Sequence, residues 1–215
     1  MYLPSSPFAF RTFSSRRDPF RATWRFSMTD KPARYSSPAI ALHWLIALAL
    51  FGLIGLGFYM TGLPMSPAKL QYFSWHKWAG VTIFLLVLVR LGWRLVSPPP
   101  AMPAATSPLM RLAAHLGHLA LYVLMLAIPL SGWLMSSAKG FQTVWFGVLP
   151  LPDLIGRNLE LGKQLSTLHL GLNVALLVMV AGHLLAALVH QHVQKDGTMY
   201  RMLPIARLRP SVAID

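Results

Sequence analysis

Eight histidines occur in the 215 residues. Seven of them, His43, His76, His115, His118, His169, His183 and His190, fall within or at the ends of long apolar stretches. An imidazole held in hydrocarbon needs a polar partner, and no Asp or Glu stands inside those stretches to provide one. A metal is the natural partner, and haem iron accepts neutral imidazole without a counter-charge; the alternative is that imidazoles near the interface cap helix ends or bond loop carbonyls. The chain has no cysteine, which excludes disulfides, iron–sulfur ligation and thioether attachment of haem. Any haem is therefore held non-covalently.

The elements that must position these side chains are four segments near 38–60, 75–96, 112–136 and 165–190. Each has about the 20 apolar residues that a helix needs to cross hydrocarbon. The reading is an all-α membrane protein, a four-helix transmembrane bundle. Only the second segment carries formal charge: Lys77 near its start and Arg90 and Arg94 toward its end, where long side chains can snorkel to the headgroups. The link Ser97–Pro108 contains five prolines and separates two helical hairpins. Residues 137–164 make a longer loop whose aromatic and proline character suits an interfacial or re-entrant cap. Of the nineteen Lys and Arg, fourteen lie on the side of both termini and five (Lys69, Lys77, Lys139, Arg157, Lys163) on the other. This bias predicts both termini to be cytoplasmic.

The composition agrees. With 55% hydrophobic and 12% charged residues, the chain lies outside the range of soluble domains. Its net charge of +13 flanks apolar segments instead of lining one face of a soluble fold, which argues against nucleic acid. The lack of intramembrane carboxylates argues against an ion-coupled transporter. Residues 1–34 read as a disordered basic extension, with Met28 an alternative start, followed by the helical domain over 35–204 and a tail over 205–215.

Depth arranges four histidines in two layers. His169 and His183 are fourteen residues apart on one helix, about 21 Å of rise and nearly the same face. His76, at the outer start of the second segment, shares a layer with His169. His43, about one turn into the first segment, shares the other with His183. This gives two bis-histidine haem b sites. His118, three residues from His115 on one face of the third segment, could by depth alone replace His183; the spacing on the fourth segment favours His183 and leaves His118 as a propionate or quinone contact. His190, about 10 Å beyond His183 and close to its face, suits a quinone site, where an imidazole can bond the carbonyl and supply a proton. His115 or His118 can reach the same region.

The strings YSSPAIALHW, WHKWAG, AAHLGHLALY and LHLGLNVALLVMVAGHLLAALVHQHVQKDGTMYRML resemble the bacterial cytochrome b561 family over residues 35–204. The resemblance implies a di-haem cytochrome of the bacterial inner membrane, with axial ligands His43, His76, His169 and His183, that exchanges electrons with ubiquinone. Members of that family look like superoxide oxidases, taking electrons from periplasmic superoxide. Other relatives are haem b subunits that dock a dehydrogenase or another redox partner protein, and this is the rival expectation.

Overall fold

A computed structural model describes residues 34–103 and 106–204. The basic extension, except Arg34, and the tail assigned to 205–215 lie outside the described residues. Four long helices form the structure: α1 (Ser37–Gly62), α2 (Pro67–Val96), α3 (Pro108–Ala138) and α4 (Leu159–Val189). All four are long and apolar enough to cross a membrane, with mean hydropathies of 1.8 to 2.3.

Polar caps set the starts of three helices ahead of the apolar runs. The Ser66 side chain accepts from the Lys69 backbone N–H, Ser107 from Met110 and Asn158 from Leu161, and a proline occupies the first turn of α1, α2 and α3. Helix α2 thus begins at Pro67, eight residues before the apolar segment expected at 75, and His76 sits in its third turn, not at its start. Capping chemistry lies outside the hydrocarbon, so hydropathy cannot locate it.

The packed apolar core knits α1 to α2 and α3: Ile46, Ile83 and Val87 are buried, with Leu50, Leu53, Leu86, Tyr122 and Met125 against them. Close backbone contacts join α1 to α2, α2 to α3 and, most extensively, α3 to α4. Helix α4 does not run in close backbone contact with α1 or α2. It is also the least buried of the four within the protein. The bundle is therefore tight on one side and held open between α4 and the α1–α2 pair.

The link between α3 and α4 carries a two-stranded antiparallel hairpin, β1 (Val144–Trp145) with β2 (Leu149–Pro150), turned through Phe146 and Gly147 at positive φ. The Trp78 indole donates to the Val144 carbonyl and the Trp145 indole to Thr82 Oγ1, fastening the hairpin over one end of α2. At the other end, the Tyr35 backbone N–H donates to the Arg201 carbonyl and the Trp44 indole to the Met202 carbonyl. The start of α1 and the segment after α4 thus meet on one side of the bundle, as an even number of spans requires.

Candidate functional site

Across the open side of the bundle, α4 faces α1 and α2 with one histidine pair at each level. His43 on α1 and His183 on α4 have ring centroids 6.3 Å apart; His76 on α2 and His169 on α4 are 6.4 Å apart. An imidazole nitrogen binds a metal at about 2.0–2.1 Å and lies about 1.1 Å from its ring centre, so two rings on opposite sides of one ion sit about 6.3 Å apart. Both pairs therefore have a spacing at which the two rings could hold one metal between them, and both span the gap where the helix backbones stay apart.

The surroundings fit a flat macrocycle at the level nearer the hairpin, called outer after the charge bias of the sequence, the level nearer the termini being called inner. His76 Nδ1 is buried and without a hydrogen-bond partner among the described residues. A Cβ on Gly57 would stand 3.3 Å from His76 Cε1, and one on Gly132 3.2 Å from His169 Cε1. Each glycine gives an imidazole the room in which to lie. His169 Nδ1–H reaches the Ile128 carbonyl at 3.1 Å and Ser131 Oγ at 2.9 Å, and Ser131 in turn donates to Ile128 at 2.7 Å. Fixing Nδ1–H in this way leaves Nε2 with its lone pair free for a metal. Pro129, which interrupts α3 beside Ile128, lies at the same level.

At the inner level the edge of Trp44 meets His43, with centroids 5.6 Å apart. His118 on α3 lies 5.7 Å from His183, so a third imidazole stands next to one member of the pair. The Arg90 guanidinium binds the Tyr122 hydroxyl at 3.1 Å and the Ala39 carbonyl at 2.6 Å, tying α2 to α3 and α1 at this depth. His115 is exposed and donates from Nδ1 to the Arg111 carbonyl of its own helix at 2.6 Å.

His190 opens a five-residue π-helical turn, His190–Gln194, and its Nδ1 lies 2.6 Å from Asp196 Oδ2. Burial works against ionisation of Asp196, but the Thr198 backbone N–H and His190 outweigh it and hold the carboxyl below its ordinary range. Sequence reasoning missed Ser131, Gly57 and Asp196. Only Asp196 left a signal, an acid six residues after a histidine in a stretch otherwise without one.

Four apolar spans with two facing histidine pairs across an open seam are the frame of a membrane haem b cytochrome that transfers electrons. The sequence profile described as prokaryotic cytochrome b561 matches residues 34–204, and the chain belongs to that family, whose members bind haem b in the bacterial inner membrane. It is 35% identical over 184 residues to cytochrome b561 homolog 2 of Escherichia coli, covering 82% of this chain and 95% of that protein. It is 30% identical over 178 residues to the Yersinia pestis protein named probable superoxide oxidase CybB, covering 81% and 98%. Cytochrome b562 of Cereibacter sphaeroides is 31% identical over 188 residues, covering 82% and 98%.

Proposed function

We propose that this chain conducts electrons from superoxide at its outer end to ubiquinone at its inner end, through two haem b sites. His76 and His169 would hold the outer haem and His43 and His183 the inner one. The termini would lie in the cytoplasm. A bound haem supplies a one-electron ferric/ferrous couple. The observation that carries the reading is the repeated centroid spacing, 6.3 and 6.4 Å, on two levels of one helix.

The chain's own residues suit an anionic donor at the outer level. Lys77, next to the ligand His76, points its ammonium at Ser136 Oγ and the Phe141 and Gln142 carbonyls. Lys139 donates to Ser166 Oγ at 2.6 Å, three residues before His169. Lys139 is held by a neutral oxygen, and Lys77 by neutral oxygens with Asp153 near it, so the two cations leave net positive charge to attract an anion; Lys163, by contrast, is paired with Glu160 at 3.3 Å. The Yersinia pestis relative's name points the same way. At the inner level, His190 would bond a quinone carbonyl, with His118 or His115 on α3 as further propionate or quinone contacts.

The purified protein should give two haems per polypeptide by pyridine haemochrome, and a value near one or none refutes the two-level assignment. Superoxide generated at the outer face should then reduce the haems, with added ubiquinone analogue reoxidising them. Haems that respond only to a copurifying dehydrogenase would establish the electron-carrier subunit instead.

A further inference from the structure

The histidines fall into two chemical kinds. His43, His76, His169 and His183 have no carboxylate partner; His190 has one at 2.6 Å. Among the described residues the only acids are Asp153, Glu160 and Asp196, and Asp196 is the only one at the inner end. A single carboxylate placed against a single histidine, at the end of the bundle where a quinone must take up protons, calls for an account beyond charge balance.

The backbone is shaped to make this pair. Had α4 continued as an α-helix, residue 196 would lie about 9 Å along the axis and well round from residue 190, out of side-chain reach. Instead the chain widens into the π-helical turn and then reverses at Lys195, a non-glycine residue in the left-handed region at φ +52°. Lys195 N–H and Asp196 N–H both return to the His190 carbonyl. Asp196 Oδ1 is occupied by the Thr198 backbone N–H at 2.9 Å, which leaves Oδ2 for His190. Beyond it the chain is lashed down: Gln191 donates to the Tyr200 hydroxyl at 2.9 Å and the Trp44 indole to the Met202 carbonyl at 2.8 Å. The side chains of His190 and Asp196 are each about four-fifths buried, at 18% and 19% exposure.

We propose that Asp196 is a positioning residue for quinone protonation, holding His190 with hydrogen on Nδ1 so that Nε2 is the nitrogen that meets the quinone. The inference rests on the reading that quinone binds at His190. Reduction of a quinone to a quinol takes two electrons, supplied through the bundle, and two protons. For each proton, the imidazolium N–H bond at Nε2 breaks as an O–H bond forms at a quinone carbonyl. The ring is left neutral, with Nδ1–H still on Asp196, and Nε2 takes its next proton from water on the inner side. The bond from Nδ1–H to Asp196 Oδ2 prevents the tautomer that would present the wrong nitrogen.

The test uses the full chain loaded with haem in lipid nanodiscs, reduced chemically and mixed with decylubiquinone, with reoxidation followed in the visible spectrum. Asp196→Asn should keep both haem spectra, lower the maximal rate about tenfold and leave the quinone concentration for half-maximal rate within about twofold, the pattern of a lost proton-transfer contribution. Asp196→Glu should recover most of the rate. On a His190→Ala background, Asp196→Asn should slow the reaction no further, because it acts through the ring. A wild-type rate in Asp196→Asn alongside a slow His190→Ala overturns the inference and leaves the quinone placement standing; a wild-type rate in His190→Ala overturns the placement itself. Should Asp196→Asn fail to load haem, 15N-labelled His190 in the wild-type protein decides: protonated Nδ1, with Nε2 shifted by decylubiquinone, supports the proposal, and unprotonated Nδ1 refutes it.

Discussion

The two histidine pairs have almost the same centroid spacing but very different support. At the outer level, His169 is bonded through Nδ1 to Ser131 and Ile128, and both rings lie against glycines with little room to shift. At the inner level, neither His43 nor His183 makes a hydrogen bond to another described residue, and a third imidazole, His118, stands close by at 5.7 Å. At one site a second set of partners fixes the tautomer and direction of one ring, His169; the other site is shaped by packing and by whatever its rings ligate. The lesson is that equal distances do not mean equal rigidity. The protein has fixed the end next to the hairpin and left more freedom at the end next to His190.

Four sets of substitutions break or sharpen this contrast. The largest effect is expected from the ligands themselves: His76→Ala or His169→Ala should reduce two haems per chain to one, leaving the inner haem, and His43→Ala or His183→Ala should do the converse. Redox titration of the four variants reads this out. Loss of the inner haem in His118→Ala with retention in His183→Ala would reassign the inner ligand.

Next is Gly132→Val. Even a lone Cβ there meets His169 Cε1 at 3.2 Å, so a branched side chain must displace the ring, and outer haem occupancy should fall by half or more. The inner spectrum should be unchanged. Full occupancy of both sites would show that the ring has room to move and that the outer site is not rigid.

Ser131→Ala removes one of the two partners on His169 Nδ1 and leaves Ile128. Loss of such a partner weakens metal affinity by about 10- to 100-fold, and the lower end applies here because one bond remains. Competition of the outer haem with apomyoglobin measures it.

The smallest effect is on acid stability. The Asp196 carboxyl is held below its ordinary range, so its contribution is present above the usual carboxylate pKa and lost as pH falls through the depressed folded value. Asp196→Asn should lower the thermal-unfolding midpoint slightly near neutral pH and flatten the acid limb, so that the two profiles converge at low pH. An identical acid limb in both proteins would show that the carboxylate is not held by its partners.

Much of this protein was legible without coordinates because hydrocarbon is an unforgiving solvent. Four runs of apolar residues dictate four helices, since in lipid only a helix satisfies its own backbone within a single segment. Histidines in those runs, with neither acid nor cysteine beside them, point to a metal held without covalent attachment. The fourteen-residue spacing of His169 and His183 fixes two levels on one helix, because helical rise and twist are local properties of the backbone.

What the tertiary structure alone decided is set by contacts between residues distant in the chain. Depth left His118 and His183 as alternatives beside His43; the packing of α3 and α1 about α4 brings both His118, at 5.7 Å, and His43, at 6.3 Å, to the His183 ring. Hydropathy could not find the true start of α2, because Ser66 and Pro67 act through capping chemistry outside the apolar run. Nor could it find Ser131 or Gly57, small residues common in any membrane helix, whose importance comes from the imidazole that another helix lays against them. Asp196 reaches His190 only because the helix widens and the backbone reverses at Lys195. The apolar pattern determined which segments enter the membrane and which side chains they carry at each depth. The packing of α4 determined which of those side chains meet, because crossing position and rotation depend on interhelix contacts that no local sequence signal encodes.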